Sequence, residues 1–234
     1  MRYHRHMKKY LNVALVTIIF IAISFGLYIN VKKQSEVDRT RLPDKVALNR
    51  LFQRWVANLR KKGLVIEGDE FKLKEDNEIY NTTWMTISSI DNPGKKAEFD
   101  ATLASHSETP GVVFAPSNTL FIDFRNKPRD NVFANQVRLY GLKEDKIIDA
   151  RILDCSVRAN CYFDRAYFLD NDVFVITEFS RNISKKDETV SICPATQSCT
   201  YTVKLHLVDL MHNKRYVYES KPFDIILSDW IPNL

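Results

Sequence analysis

From Leu11 to Val31 the chain presents 21 consecutive residues without a charge, and beyond residue 63 it breaks into short apolar runs separated by polar punctuation. The two patterns predict different objects. The first run, LNVALVTIIFIAISFGLYINV, has the length a helix needs to cross a bilayer's hydrocarbon core, about 20 residues. Between Val13 and Ile29 only Thr17, Ser24 and Gly26 are not hydrophobic, and the two hydroxyls can return their hydrogen bonds to the helix backbone. Tyr10 and Tyr28 suit the membrane interfaces, and Lys8, Lys9, Lys32 and Lys33 bracket the segment. A buried core helix fits less well, because the other strong helix pattern is short and amphipathic, too little to wrap an all-round apolar rod. A cleaved signal peptide is a rival, since Ala22-Ile23-Ser24 has a small-x-small form behind a basic start. The apolar stretch nevertheless continues past it through Phe25, Leu27, Tyr28 and Ile29. The expectation is an uncleaved signal anchor that meets the lipid bilayer through Leu11–Val31.

Residues 1–10 then form a basic tail and residues 32–42 a polar stalk. Pro43-Asp44 opens a helix, with proline in the first turn and an acid at the positive end of the dipole. Leu48, Leu51, Phe52, Trp55 and Leu59 recur at helical spacing, and Lys61, Lys62 and Gly63 close the segment. This amphipathic helix, residues 43–63, has two readings. It packs on the following domain, or it lies on the membrane or a partner through Leu48, Phe52, Trp55 and Leu59.

Residues 64–234 carry the β pattern. Candidate strands are Leu64–Ile66, Glu70–Leu73, Thr83–Ser89, Ala97–Leu103, Val112–Phe114, Thr119–Phe124 and Gln136–Leu142. They continue with Ile147–Leu153, Tyr162–Leu169, Val173–Phe179, Thr200–Leu207, Arg215–Glu219 and Phe223–Leu227. Asn92-Pro93-Gly94, Lys143–Asp145, Asp170-Asn171-Asp172 and His212-Asn213-Lys214 read as turns. The fold class is mainly β: an N-terminal transmembrane helix, a short amphipathic helix, then an antiparallel β domain of sandwich type. An internal repeat adds an alternative. VVFAPSNTLFIDF (Val112–Phe124) parallels AYFLDNDVFVITEF (Ala166–Phe179), and each is followed by a hairpin, Val137–Ile152 and Val203–Ser220. The second unit resembles a β-propeller blade of the WD40-like kind, which implies a partial array of four-stranded units. Two or three such units are too few to close a propeller within one chain.

Charge alters the picture only slightly. Residues 1–33 carry six of the 34 Lys/Arg and none of the 29 Asp/Glu, which leaves 28 basic against 29 acidic residues beyond them. A near-neutral soluble part argues against nucleic-acid binding, which wants a basic face on the folded domain. Basic residues flank both ends of the apolar run, so orientation rests on the cysteines. All four lie in the β region as Cys155/Cys161 and Cys193/Cys199, each pair enclosing five residues. Matched pairs suit disulfides in an oxidising compartment, and three connectivities are open, of which two local loops are the simplest. Structural zinc pairs sit two to four residues apart, so five is off that pattern. The N-terminus is expected in the cytoplasm and the bulk of the chain outside it.

Catalytic signatures are sparse. The chain has no nucleophile elbow, zinc helix, phosphate loop or dinucleotide fingerprint, and only six glycines. No cofactor and no metal set is predicted. His106, in Ser105-His106-Ser107-Glu108, reads as part of a solvated loop, and His212 lies in a turn. His206 alternates with Val203, Leu205 and Leu207 and so reads as outward-facing. Asn81-Thr82-Thr83 and Asn182-Ile183-Ser184 are glycosylation triplets. Three classes of function remain: an extracytoplasmic protein-binding or adaptor module with an envelope protein partner, an envelope enzyme whose site converges only in three dimensions, or a self-assembling structural subunit that forms a homo-oligomer.

Overall fold

The computed structural model describes residues 2–36, 40–79, 84–125, 127–129, 132–156, 158–181 and 192–231. The chain divides into two units, residues 1–39 and residues 40–234. The first contains one helix, α1 (Arg2–Glu36). Its stretch Ala14–Lys32 has a mean hydropathy of 2.3 and no buried residue, and it is long and apolar enough to cross a membrane. A membrane anchor and a signal sequence both satisfy that description.

The second unit is mostly β. It begins with a one-turn helix α2 (Asp44–Ala47) and α3 (Arg50–Lys61). The single helix expected over 43–63 divides because the Asn49 side chain accepts the Leu51 and Phe52 N–H groups at 2.8 and 3.4 Å, starting a new helix there. Gly63, at φ +88°, ends it.

The strands form two main antiparallel sheets and a small hairpin. Sheet A runs β1 (Lys72–Glu78), β12 (Lys214–Glu219), β11 (Ser198–Asp209), β10 (Val173–Ser180), β9 (Cys161–Asp170). Strand β13 (Phe223–Ile226) also pairs with β11, along its first residues. Sheet B runs β2 (Met85–Ser89), β8 (Lys146–Asp154), β7 (Gln136–Lys143), β4 (Leu120–Asp123), β3 (Val112–Phe114). Between β4 and β7 stands the hairpin β5 (Lys127–Arg129) and β6 (Val132–Ala134). Each sheet is thus a four-stranded meander, β9–β12 or β3-β4-β7-β8, with one earlier strand zipped onto its last member. The internal repeat corresponds to these two meanders, which pack face to face as a sandwich.

Two apolar cores explain why. Between the sheets lie Ile122, Val137, Leu139 and Ala150 from sheet B against Phe163, Phe174, Ile176 and Val208 from sheet A. On the other side of sheet A, Val46, Phe52, Trp55 and Leu59 pack on Val175, Phe179, Tyr201, Val203 and Leu205. Sheet A is therefore covered on both faces, and seven consecutive residues of β10, Phe174–Ser180, are buried. The outer face of sheet B carries α4 (Pro93–His106), through Phe99 against Tyr140 at 6.0 Å and His106 against Phe121 at 5.0 Å between ring centroids. Gly141 admits the close approach of β4: a Cβ there would stand 2.5 Å from the Leu120 Cα.

Four further expectations change. Ala97–Leu103 is helix, not strand, and Asn92-Pro93-Gly94 is a helix start rather than a turn. Asn92 accepts the Gly94 and Lys95 N–H groups at 3.0 and 3.2 Å, proline takes the first turn, and Lys95–Glu98 and Lys96–Asp100 pair at helical spacing. Leu64–Ile66 is irregular, with Ile66 buried under α3 and Val65 exposed. His206 is 5% exposed rather than outward-facing, because sheet A has no solvent face at its position. Both glycosylation triplets lie outside the described residues.

Candidate functional site

Two places in the second unit gather chemistry. The first is on sheet A. Alternate residues of β10 face the other sheet, Phe174 and Ile176 as core and then Glu178. Glu178 is 3% exposed. Its direct partner on β11 is Lys204, whose own partner on β12 is Glu219. Lys204 Nζ stands 3.8 Å from the Glu178 carboxylate and 4.0 Å from that of Glu219. A register shift in β1 between Leu73 and Glu75 sets Lys74 3.8 Å from Glu219. On the β9 side the Arg158 guanidinium pairs with Glu178. The sequence Arg158, Glu178, Lys204, Glu219, Lys74 is a row of alternating charge across the sheet. Diagonally, His206 Nε2 lies 2.9 Å from the Glu178 carboxylate.

Burial alone would push the Glu178 carboxyl up. The His206 hydrogen bond, helped by the charges of His206, Arg158 and Lys204, outweighs it and holds the group well below the usual carboxylate range. Asp164, on β9, goes the other way: burial raises it, and Arg165 and Lys62 only partly offset that.

The Cys155–Cys161 disulfide closes a short loop beside this row, and Cys193–Cys199 closes a second. Both are the local pairings. Arg158, inside the first loop, donates to both its sulfurs. Two buried asparagines fix the loops in place. The Asn135 side-chain amide donates to the Cys161 carbonyl at 2.7 Å while the Asn135 backbone carbonyl accepts the Cys155 N–H at 2.8 Å. The Asn160 side chain accepts the Cys193 N–H at 2.7 Å and so ties the loops together. No sequence pattern announces this cluster, since the register of β10 and β11 brings Glu178 to His206.

The second place is the β2 side of sheet B. A cavity of about 220 Å³ is lined by Thr86 and Ser88 of β2, Tyr140 of β7, Ile147 and Asp149 of β8, and Lys95 and Glu98 of α4. Strand β2 is the sheet's edge, and on the face opposite the cavity it exposes Ile87, with Trp84 one residue before the strand. Arg151 covers the Trp84 ring at 3.5 Å.

The remaining sequence candidates are distributed plainly. Phe52, Trp55 and Leu59 are spent on the core under sheet A, and only Leu48 of that set stays exposed. His106 ends α4 stacked on Phe121, and His212 is exposed and bonded to Asp209 at 2.8 Å. Compared with family models, with curated proteins and with solved structures, the chain matches none.

Proposed function

We propose that this chain is a single-pass, membrane-tethered binding module, with its N-terminus in the cytoplasm and the domain of residues 40–231 on the other side. The apolar helix supports the tether and the two disulfides support the oxidising side. The observation that carries the binding reading is a difference between two sheet edges. An unpaired strand edge is a template for another chain, and proteins blunt such edges with charge. Strand β1, KLKEDNE, does this with Lys72, Lys74, Glu75, Asp76 and Glu78. Strand β2, MTISS, has no charged residue; on one face Thr86 and Ser88 line a side-chain-sized cavity, and on the other Ile87 is half exposed. An unguarded edge with a pocket next to it suits an extended segment of a partner protein, added as a further strand and placing one side chain in the cavity.

A photoreactive amino acid at Ile87, compared with one at Glu75, tests this in intact membranes. The expected outcome is a discrete cross-link to another envelope protein from position 87 and none from position 75. Cross-links only to a second copy of the chain would replace the reading with a self-assembling subunit, and equal or absent cross-links from both positions would remove it.

A further inference from the structure

The charged row on sheet A also gathers metal-donor atoms. One donor atom from each of Cys155, Cys161 and Glu178 lies within 4.8 Å of the others. His206 lies outside that group and reaches it through Glu178, its Nε2 being 2.9 Å from the carboxylate. All four residues are at most 5% exposed. The other ring nitrogen of His206, Nδ1, is buried with no hydrogen-bond partner among the described residues. We propose that reduction of the Cys155–Cys161 bridge opens a redox-gated metal site, in which two thiolates, Glu178 and His206 hold a zinc-like divalent cation.

The electrostatics lead there. In the oxidised protein the bridge is neutral, and Arg158 occupies the cation's place by donating to both sulfurs and to Glu178. Reduction yields two thiols whose ionised forms would join the buried Glu178 carboxylate among the charges of Arg158, Lys204 and His206. A divalent cation with some affinity for sulfur can take the place of the Arg158 guanidinium and of the His206 proton, and two sulfurs, one neutral imidazole and one carboxylate suit four-coordinate zinc. Arg158 is free to leave: its side chain is 46% exposed, and it is carried by the loop between the two cysteines. The separation of five residues is wider than in common zinc pairs, but here the remaining ligands come from adjacent strands in fixed register. The step balances simply. Two small-molecule thiols supply two electrons and two protons to the bridge and leave as their own disulfide, and the metal then displaces the two cysteine protons. In an oxidising compartment the bridge keeps the site shut. Among the described residues no such donor group surrounds Cys193–Cys199, which makes that pair an internal control.

Cobalt(II) titration of the full chain in detergent, reduced with a phosphine, reads the site directly. Near-ultraviolet thiolate-to-cobalt absorption with visible tetrahedral bands is expected in the wild type and in C193S/C199S, and in neither before reduction. Cys155→Ser should abolish it, while Glu178→Gln and His206→Gln should each weaken cobalt binding at least tenfold. Arg158→Ala, which leaves all four donors, should bind cobalt at least as tightly as the wild type and keeps the test decisive if a core variant misfolds by circular dichroism. Absence of the sulfur band, a band that follows Cys193 and Cys199, affinity indifferent to Glu178 and His206, or weaker binding by Arg158→Ala would each overturn the proposal.

Discussion

The two sheets share one wiring and live in different surroundings. Each is a meander closed by an earlier strand, yet sheet A is sealed by α3 on one side and sheet B on the other, whereas the outer face of sheet B is only partly roofed by α4. The difference decides what polar residues can do. At the centre of sheet A a polar side chain has no water to turn to, so the buried Glu178 is matched with His206, Arg158 and Lys204. On sheet B the polar residues Thr86, Ser88 and Asp149 line an open cavity instead. Their edges differ in the same sense: the sealed sheet ends in a charged strand, the open one in an uncharged strand.

That contrast can be attacked from its strongest point downward. Phe174→Ala removes a fully buried ring from the centre of sheet A and should cost about 3–5 kcal/mol in denaturant unfolding, as large-to-small core changes do. A cost under about 1 kcal/mol would mean the sheets are not tightly packed. The next effect is acid dependence. The folded Glu178 carboxyl is held below its unfolded value, so its contribution is full above about pH 4.5 and fades as pH falls through the depressed value. Asp164, raised in the fold, contributes in the opposite sense, favouring the fold as it protonates. Unfolding midpoints measured between pH 7 and pH 3 should therefore drop in the wild type and flatten in Glu178→Gln. An equally steep drop in that variant would assign the acid sensitivity elsewhere. Smallest of all, Ile87→Lys on the edge of sheet B should change stability by no more than about 0.5 kcal/mol, because the side chain is half exposed. A larger loss in the same unfolding assay would mean that β2 is held by apolar packing and is not an open edge.

Most strands were legible because their apolar positions alternate between recognisable turns; Val112–Phe114 and Gln136–Leu142 lie close to the observed β3 and β7. The misreadings have local causes. In Ala97–Leu103 the apolar residues Ala97, Phe99, Ala101 and Leu103 fall at every second position, which imitates a strand, while the stronger instruction lay upstream in Asn92-Pro93. Alternation alone places His206 toward solvent, but alternation distinguishes two faces without saying whether either is wet. The cluster around Glu178 was invisible for a further reason. Its members come from a disulfide loop and two strands, and only the pairing register brings them within hydrogen-bonding distance.

The β1–β12 pairing also has a consequence in time. Lys72 pairs with Glu219, 147 positions further along the chain. Until Lys214–Glu219 has been made, β1 has no strand to join and the meander β9–β12 lacks its final member. Contacts this distant in sequence are slow to form and leave apolar strands uncovered meanwhile. A chain that stopped before residue 214 would leave β11 without its β12 neighbour and β1 without the strand it pairs with.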